Sequence, residues 1–284
     1  MTTANPLPHG LGPHGLGPHG LGPDGLGSAG LSADLHAAIV HVARTAHLLV
    51  AMDFDGTMAP LVPRAEDARP LPAAASAFAA LSAVESTTTA LVSGRALASL
   101  RAVATPPEQT LLVGSHGAEV WLGPGSPGLE LTETQEHARG RVQSAVQLAV
   151  HLHPGTVMEQ KPAGVVLHYR QATPEAGRAA VAAVRAALGQ DPGLFITEGK
   201  MVLEISVINA NKGESLRLLR TVSGATAVIF AGDDVTDEHA FTALGAGDVG
   251  IKVGAGTTAA AFRIASPQEL PAVLELLLAT RKHP

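Results

Sequence analysis

Apolar positions in this chain follow two patterns. Short unbroken apolar runs fall at 47–53, 88–92, 110–113, 226–231 and 248–253, the signature of strands buried in a sheet. Between them lie Ala- and Leu-rich segments of helical character at 33–45, 72–83, 95–104, 213–222, 236–243 and 268–280. Strands alternating with helices predict a parallel sheet with helices on its faces. The middle of the chain breaks this rhythm. A loop, GPGSPG (Gly123–Gly128), leads into a helix at 132–150, the strand GVVLHYR, an Ala-rich helix at 174–188, and the strands LFIT and MVLEISV. The pattern predicts a Rossmann-like α/β core, 33–121 and 208–284, with an α+β domain, 122–207, inserted between its halves.

Residues 8–27 fit neither pattern, because they repeat Pro-His-Gly-Leu-Gly with small variations. One Leu per five residues among Gly and Pro builds no buried face, so 1–32 is expected to be a disordered tail. Its His9, His14 and His19 could hold a metal weakly, but the composition favours a spacer without chemistry.

The polar residues that interrupt the apolar runs carry the chemical information. In LLVAMDFDGTMAP, from Leu48 to Pro60, a buried strand ends in Asp53 and Asp55. Ligands of open α/β sheets bind beyond the carboxyl ends of the strands. Residues i and i+2 of an extended chain share a face, so both carboxylates are expected in one site. A divalent cation would relieve their repulsion, and oxygen-only ligands suit Mg²⁺. AGDDVTDEHAF, after the strand AVIF, places Asp233, Asp234, Asp237 and Glu238 at a helix start. A helix cap needs one or two acids rather than four. Lys212, in NKGESLRLLR, opens a helix where the dipole disfavours a cation. In LVSGRALASL, Ser93 ends a strand ahead of a helix, an arrangement able to receive an anion.

Composition narrows the partners. The 284 residues are 46% hydrophobic but only 3% aromatic, so the core must be built from Ala, Val and Leu. The net charge is −6, with no basic run for nucleic acid and no apolar run of membrane-spanning length. Cysteine is absent, which excludes disulfides, thiolate metal sites and a cysteine nucleophile. No signal-like N-terminus is present, and a cytoplasmic enzyme or binding protein is the default expectation.

In the order DFDGT, SGR, NKG and GDDVTDE, the chain resembles the haloacid dehalogenase superfamily of phosphatases. The stretches GSHGAE, EQKPAGVVLHYR and EGKMVLEI make it similar, more narrowly, to the trehalose-6-phosphate phosphatases, over about 45–280. The resemblance implies Mg²⁺-dependent hydrolysis of a sugar phosphate. Asp53 would be the nucleophile and Asp55 the general acid and base, with Ser93 and Lys212 steadying the phosphoryl group. It implies Mg²⁺ on the Asp53 carboxylate, the Asp55 carbonyl and Asp233, with Asp234 and Asp237 auxiliary. The insertion takes the place of the family's cap. Glu159, Lys161, Lys200 and Glu204 from it, with Arg95 and His116 from the core, would recognise the sugar, whereas His168 and Tyr169 are expected in strand packing. A trehalose-phosphate synthase is the implied pathway partner, with neither nucleic acid nor membrane involved. Asn211 departs from the family, where an aspartate often precedes the lysine. The alternatives are a phosphatase for another sugar phosphate such as sucrose phosphate, a phosphosugar mutase, a non-catalytic cation or sugar-phosphate binder, and an interaction module organised by the repeats.

Overall fold

The computed structural model of the protein describes residues 30–199 and 201–282. The repeat segment with His9, His14 and His19 lies outside the described residues, and so does Lys200. Along the chain run α1 (Ala33–Ala43), β1 (Leu48–Met52), α2 (Pro72–Ser82), β2 (Thr87–Val92), α3 (Leu97–Ala104), β3 (Leu111–Gly114), β4 (Glu119–Trp121), α4 (Glu133–Leu152), β5 (Val157–Lys161), β6 (Gly164–His168), α5 (Pro174–Leu188), β7 (Phe195–Gly199), β8 (Val202–Ser206), α6 (Lys212–Ser223), β9 (Ala227–Gly232), α7 (Glu238–Ala243), β10 (Val249–Val253), β11 (Phe262–Ile264) and α8 (Leu270–Lys282).

Seven strands form one sheet in the order β11-β10-β9-β1-β2-β3-β4. All neighbours are parallel except β4, which runs antiparallel to β3. β1 reads as an unbroken apolar run because both of its faces are covered. Leu48, Val50 and Met52 pack with Leu35 and Ile39 of α1, Phe78 of α2 and Leu274 of α8. Leu49 and Ala51 pack on the other side with Leu216 and Leu219 of α6 and Phe241 of α7. Packing begins earlier than the expected tail boundary. Leu31 is buried, and the Ser32 hydroxyl accepts the Leu35 N–H to cap α1.

A second, wholly antiparallel sheet has the order β5-β6-β8-β7. Its period-2 alternation sends Val165, Leu167, Leu203 and Ile205 against Val142 and Val146 of α4 and Val184 of α5. The intervening residues form the opposite face. Strands β4, β5 and β11 were not expected from the sequence. The strand expected over GVVLHYR stops at His168, where the Tyr169 N–H turns to the Met201 carbonyl. Among the described residues no helix is long and apolar enough to cross a membrane.

β1 is flanked by β2 on one side and β9 on the other, and the strand order runs outward from it in both directions. Such a reversal opens a crevice at the carboxyl ends of the strands. The acidic residues lie there.

Candidate active site

β1 ends at Met52, and the Asp53 N–H continues the ladder to the Ala231 carbonyl at 2.9 Å. The chain then turns sharply. Gly56 adopts φ +81°, its N–H donates to the Ala59 carbonyl, and a Cβ at that position would lie 2.3 Å from Cγ of Asp233. Glycine is therefore required both for the sign of φ and for space.

Lys212, the first residue of α6, is buried. Its ammonium donates to Oδ1 of Asp53 at 2.6 Å and to Oδ1 of Asp237 at 2.7 Å. These two carboxylates are what a cation at a helix start needs. Asn211 is the N-cap, its Oδ1 accepting the N–H groups of Gly213 and Glu214. The other oxygen of Asp237 accepts the Asp234 N–H at 2.8 Å.

Carboxylate oxygens of Asp53, Asp233 and Asp237 lie within 4.8 Å of one another, a grouping that could hold a metal ion. Asp234, expected as an auxiliary, is not among these three carboxylates, and neither is the carboxylate of Asp55, from which only the backbone carbonyl was expected. The strand geometry that would align Asp53 with Asp55 has already ended, and the turn sends Asp55 to Arg95. That pair is bidentate, with Nε and Nη2 of Arg95 each 2.6 Å from a carboxylate oxygen. The guanidinium also stands 5.6 Å from the Phe54 ring centroid. Asp237, expected only as an auxiliary, is fully buried at the centre.

Two buried acids, Asp53 and Asp237, and the half-buried Asp233 lie around one buried lysine. Burial pushes the Asp53 carboxyl well above its usual range, Lys212 opposes that, and Asp237 and Asp233 add to it. Burial alone would lower the Lys212 ammonium, but Asp237 and Asp53 outweigh it and hold it raised. An excess of negative charge out of water costs several kcal/mol. Hard oxygen donors with that excess fit a divalent cation such as Mg²⁺.

Ser93 follows β2, buried, with its hydroxyl accepting the Arg95 N–H at 3.2 Å. His116 follows β3 with φ 56°, and Ser115 before it has φ 48°. Glu119 restrains this strained turn by accepting from the Ser115 hydroxyl and the Leu97 N–H.

The exposed face of the second sheet closes the cleft. One row across it is Glu159, Val166, Glu204 and Thr197, and the next is Val157, His168, Val202 and Gly199. All eight line the cleft with Asp53, Ser93, Arg95, His116, Lys161, Lys212, Asp233 and Asp234, around about 590 Å³. Glu204 bridges the two sheets, 3.1 Å from Nε2 of His116 and 3.1 Å from Nζ of Lys161. Lys161 also donates to the Gly94 carbonyl at 2.9 Å. Burial would raise the Glu204 carboxyl, yet His116 and Lys161 bring it down to about 2.

The structure thus brings Asp53, Asp55, Ser93, Arg95, His116, Glu159, Lys161, Glu204, Lys212, Asp233 and Asp234 to one cleft, whereas Glu238 turns away and accepts from the Thr258 hydroxyl and the Ala259 N–H. His168 corrects the expectation of strand packing. It shares the cleft face with Val166 and hydrogen-bonds Glu159 at 2.7 Å, which holds the Glu159 carboxyl below its usual range. The alternation in GVVLH, with Val165 and Leu167 inward, is the signal that places it there.

The sequence profile of the family described as trehalose-phosphatase matches residues 51–268. Trehalose-phosphate phosphatase of Mycobacterium avium (strain 104) is 35% identical over 242 residues, covering 78% of this chain and 59% of that protein. This chain therefore spans less than two thirds of the length of that relative. Trehalose-6-phosphate phosphatase of Escherichia coli K12 is 28% identical over 229 residues, 79% of this chain and 84% of that protein. Among solved structures, the C-terminal domain of Candida albicans trehalose-6-phosphate phosphatase superposes with a TM-score of 0.74 at 21% identity, covering 87% of this chain and 97% of the other. The matched profile takes in both the acidic strand ends and the second sheet, and on that match this chain belongs to the trehalose-phosphatase family.

Proposed function

We propose that this protein hydrolyses trehalose 6-phosphate to trehalose and phosphate, with Asp53 as the nucleophile, and that the second sheet acts as a cap. One observation carries the reading. Asp53 stands at the carboxyl end of β1, fixed by Lys212 beside Asp233 and Asp237, and faces a cleft whose far wall carries Glu159, Lys161, His168 and Glu204. A phosphate-sized site adjoins a wall of paired donors and acceptors, which suits sugar hydroxyls.

In the first step a carboxylate oxygen of Asp53 attacks phosphorus, and the bond from phosphorus to the sugar oxygen breaks as Asp55 gives that oxygen a proton. In the second step water attacks the aspartyl-phosphate. Asp55 takes the water's proton, and the bond from Asp53 to phosphorus breaks. Asp55 must release part of the Arg95 fork to act as an acid, because a protonated oxygen cannot also accept a guanidinium N–H fully. Arg95 is then free to turn to the phosphoryl oxygens. Lys212 fixes Asp53 and, with Ser93, faces the negative charge of the transferring group. Asp53, Asp233 and Asp237 would hold Mg²⁺, which supplies charge neutralisation at the phosphoryl oxygens. The cap would select the sugar and exclude water.

The test is phosphate release from trehalose 6-phosphate with Mg²⁺ or EDTA, with glucose 6-phosphate as a control and Asp53→Asn as the inactive variant. We expect turnover that needs Mg²⁺, prefers trehalose 6-phosphate and vanishes in Asp53→Asn. Turnover indifferent to metal, or a preference for glucose 6-phosphate, would defeat the assignment.

A further inference from the structure

β10 reads VGIKV, and all five residues are buried. Lys252 within it is only 4% exposed, although the reaction above uses no such group. Burying an ammonium costs several kcal/mol, and an apolar residue would suit this strand better. Lys252 donates to two backbone carbonyls, those of Asp233 and Val253.

The first of these carbonyls is informative. Lys252 lies opposite Gly232 in the register of β10 with β9, one residue before Asp233. The Asp233 carbonyl and the Asp234 N–H belong to the same rigid peptide plane. Lys252 holds the carbonyl end of that plane, and Oδ2 of Asp237 accepts its N–H at 2.8 Å. The peptide is therefore gripped from both sides. Its grip sets the direction in which Asp233, one bond away, projects its carboxylate towards Asp53 and Asp237.

We infer that Lys252 is a positioning residue for the cation site, holding the Asp233–Asp234 peptide so that the three carboxylates converge. The inference rests on the cation reading made above. Two other roles predict different behaviour. A lysine serving only the fold would alter stability equally at every Mg²⁺ concentration. A lysine acting only as a charge would repel the cation, so its removal would tighten binding.

The experiment follows the melting temperature of the full chain, without substrate, as Mg²⁺ is titrated. The midpoint of the Mg²⁺-dependent rise reports cation affinity without any catalytic readout. In Lys252→Met the midpoint is expected to rise about tenfold, the scale seen when a group supporting a metal ligand is lost. An unchanged or lowered midpoint overturns the inference. Should Lys252→Met not be recovered folded, Lys252→Gln keeps an N–H donor on a chain one atom shorter. Its midpoint is also expected to rise, and an unchanged or lowered one overturns the inference. If the unmodified protein shows no Mg²⁺-dependent shift, both this inference and the cation reading fall. If only the difference in the variant is missing, this inference alone falls.

Discussion

Replacing Lys212 with methionine tests the electrostatic arrangement most directly. The side chain is 2% exposed and lies 2.6 Å from Asp53 and 2.7 Å from Asp237, whose own side chains are 5% and 0% exposed. Methionine conserves most of the volume, so little cavity is created and the loss is mainly one of charge. Removing one partner from a buried ion pair costs about 3–5 kcal/mol. Here two acids lose the same partner, with Asp233 close by. The assay is urea unfolding of Lys212→Met against the unmodified protein in EDTA, repeated with saturating Mg²⁺. The destabilisation should reach the stated range in EDTA and shrink with Mg²⁺, which supplies the missing positive charge. The pH dependence has a definite sign. Without the lysine, which opposes the effect of burial on Asp53, that carboxyl is pushed further above its unfolded value, the folded state binds more protons, and stability falls as pH rises. The deficit should therefore be larger at pH 8 than at pH 5. Adding Asp237→Asn to the variant should recover part of it, because one uncompensated acid is gone. A deficit under about 1 kcal/mol in EDTA, the scale of an exposed pair, would refute the claim that these charges are buried and mutually dependent.

Two further outcomes probe other parts of the site. Glu204 titrates near 2 rather than 4.5 in the folded protein, so its contribution is present above pH 4.5 and is lost as pH falls towards 2. Acid unfolding should show the unmodified protein ahead of Glu204→Gln by on the order of 3 kcal/mol at most near neutrality, with the gap closing in that window; a gap independent of pH would contradict the pairing with His116 and Lys161. Gly56→Ala should destabilise by at least about 1 kcal/mol from its left-handed backbone alone. It should also reduce turnover by displacing Asp233, measured by chemical unfolding alongside phosphate release.

The long elements of the sheet and its helices were legible in the sequence because their patterns are local. Both-face burial makes β1 and β9 unbroken apolar runs, β6 carries the short run Val165–Leu167, and β8 alternates Leu203 and Ile205 with Glu204 and Ser206. β5 escaped for a physical reason. Its sequence, VMEQK, shows no alternation, since the strand lies at the sheet edge and most of its residues are exposed. β4 and β11 span three residues each, too short to show any period. Within the site, Asp53, Lys212 and Asp233 were legible as acids and a lysine at element ends. Asn211 looked like a departure from the family pattern, but its side chain supplies the helix cap.

The covalent order of residues was enough to establish which segments become strands and helices, and that charges gather where apolar runs stop. Those properties depend on neighbours a few positions apart. Which charges meet was decided only when the sheet was assembled. Asp53 and Lys212 are 159 positions apart, and Lys252 reaches the Asp233 peptide only through the register of β10 on β9. The end of β1 at Met52 turned the Asp55 carboxylate towards Arg95, while the carboxylate of Asp237 came to lie beside those of Asp53 and Asp233. Side chains alternate with every residue of a strand and redirect at every turn, so a boundary moved by one position changes the partner. Sequence spacing cannot fix that boundary, whereas the hydrogen-bonded register does.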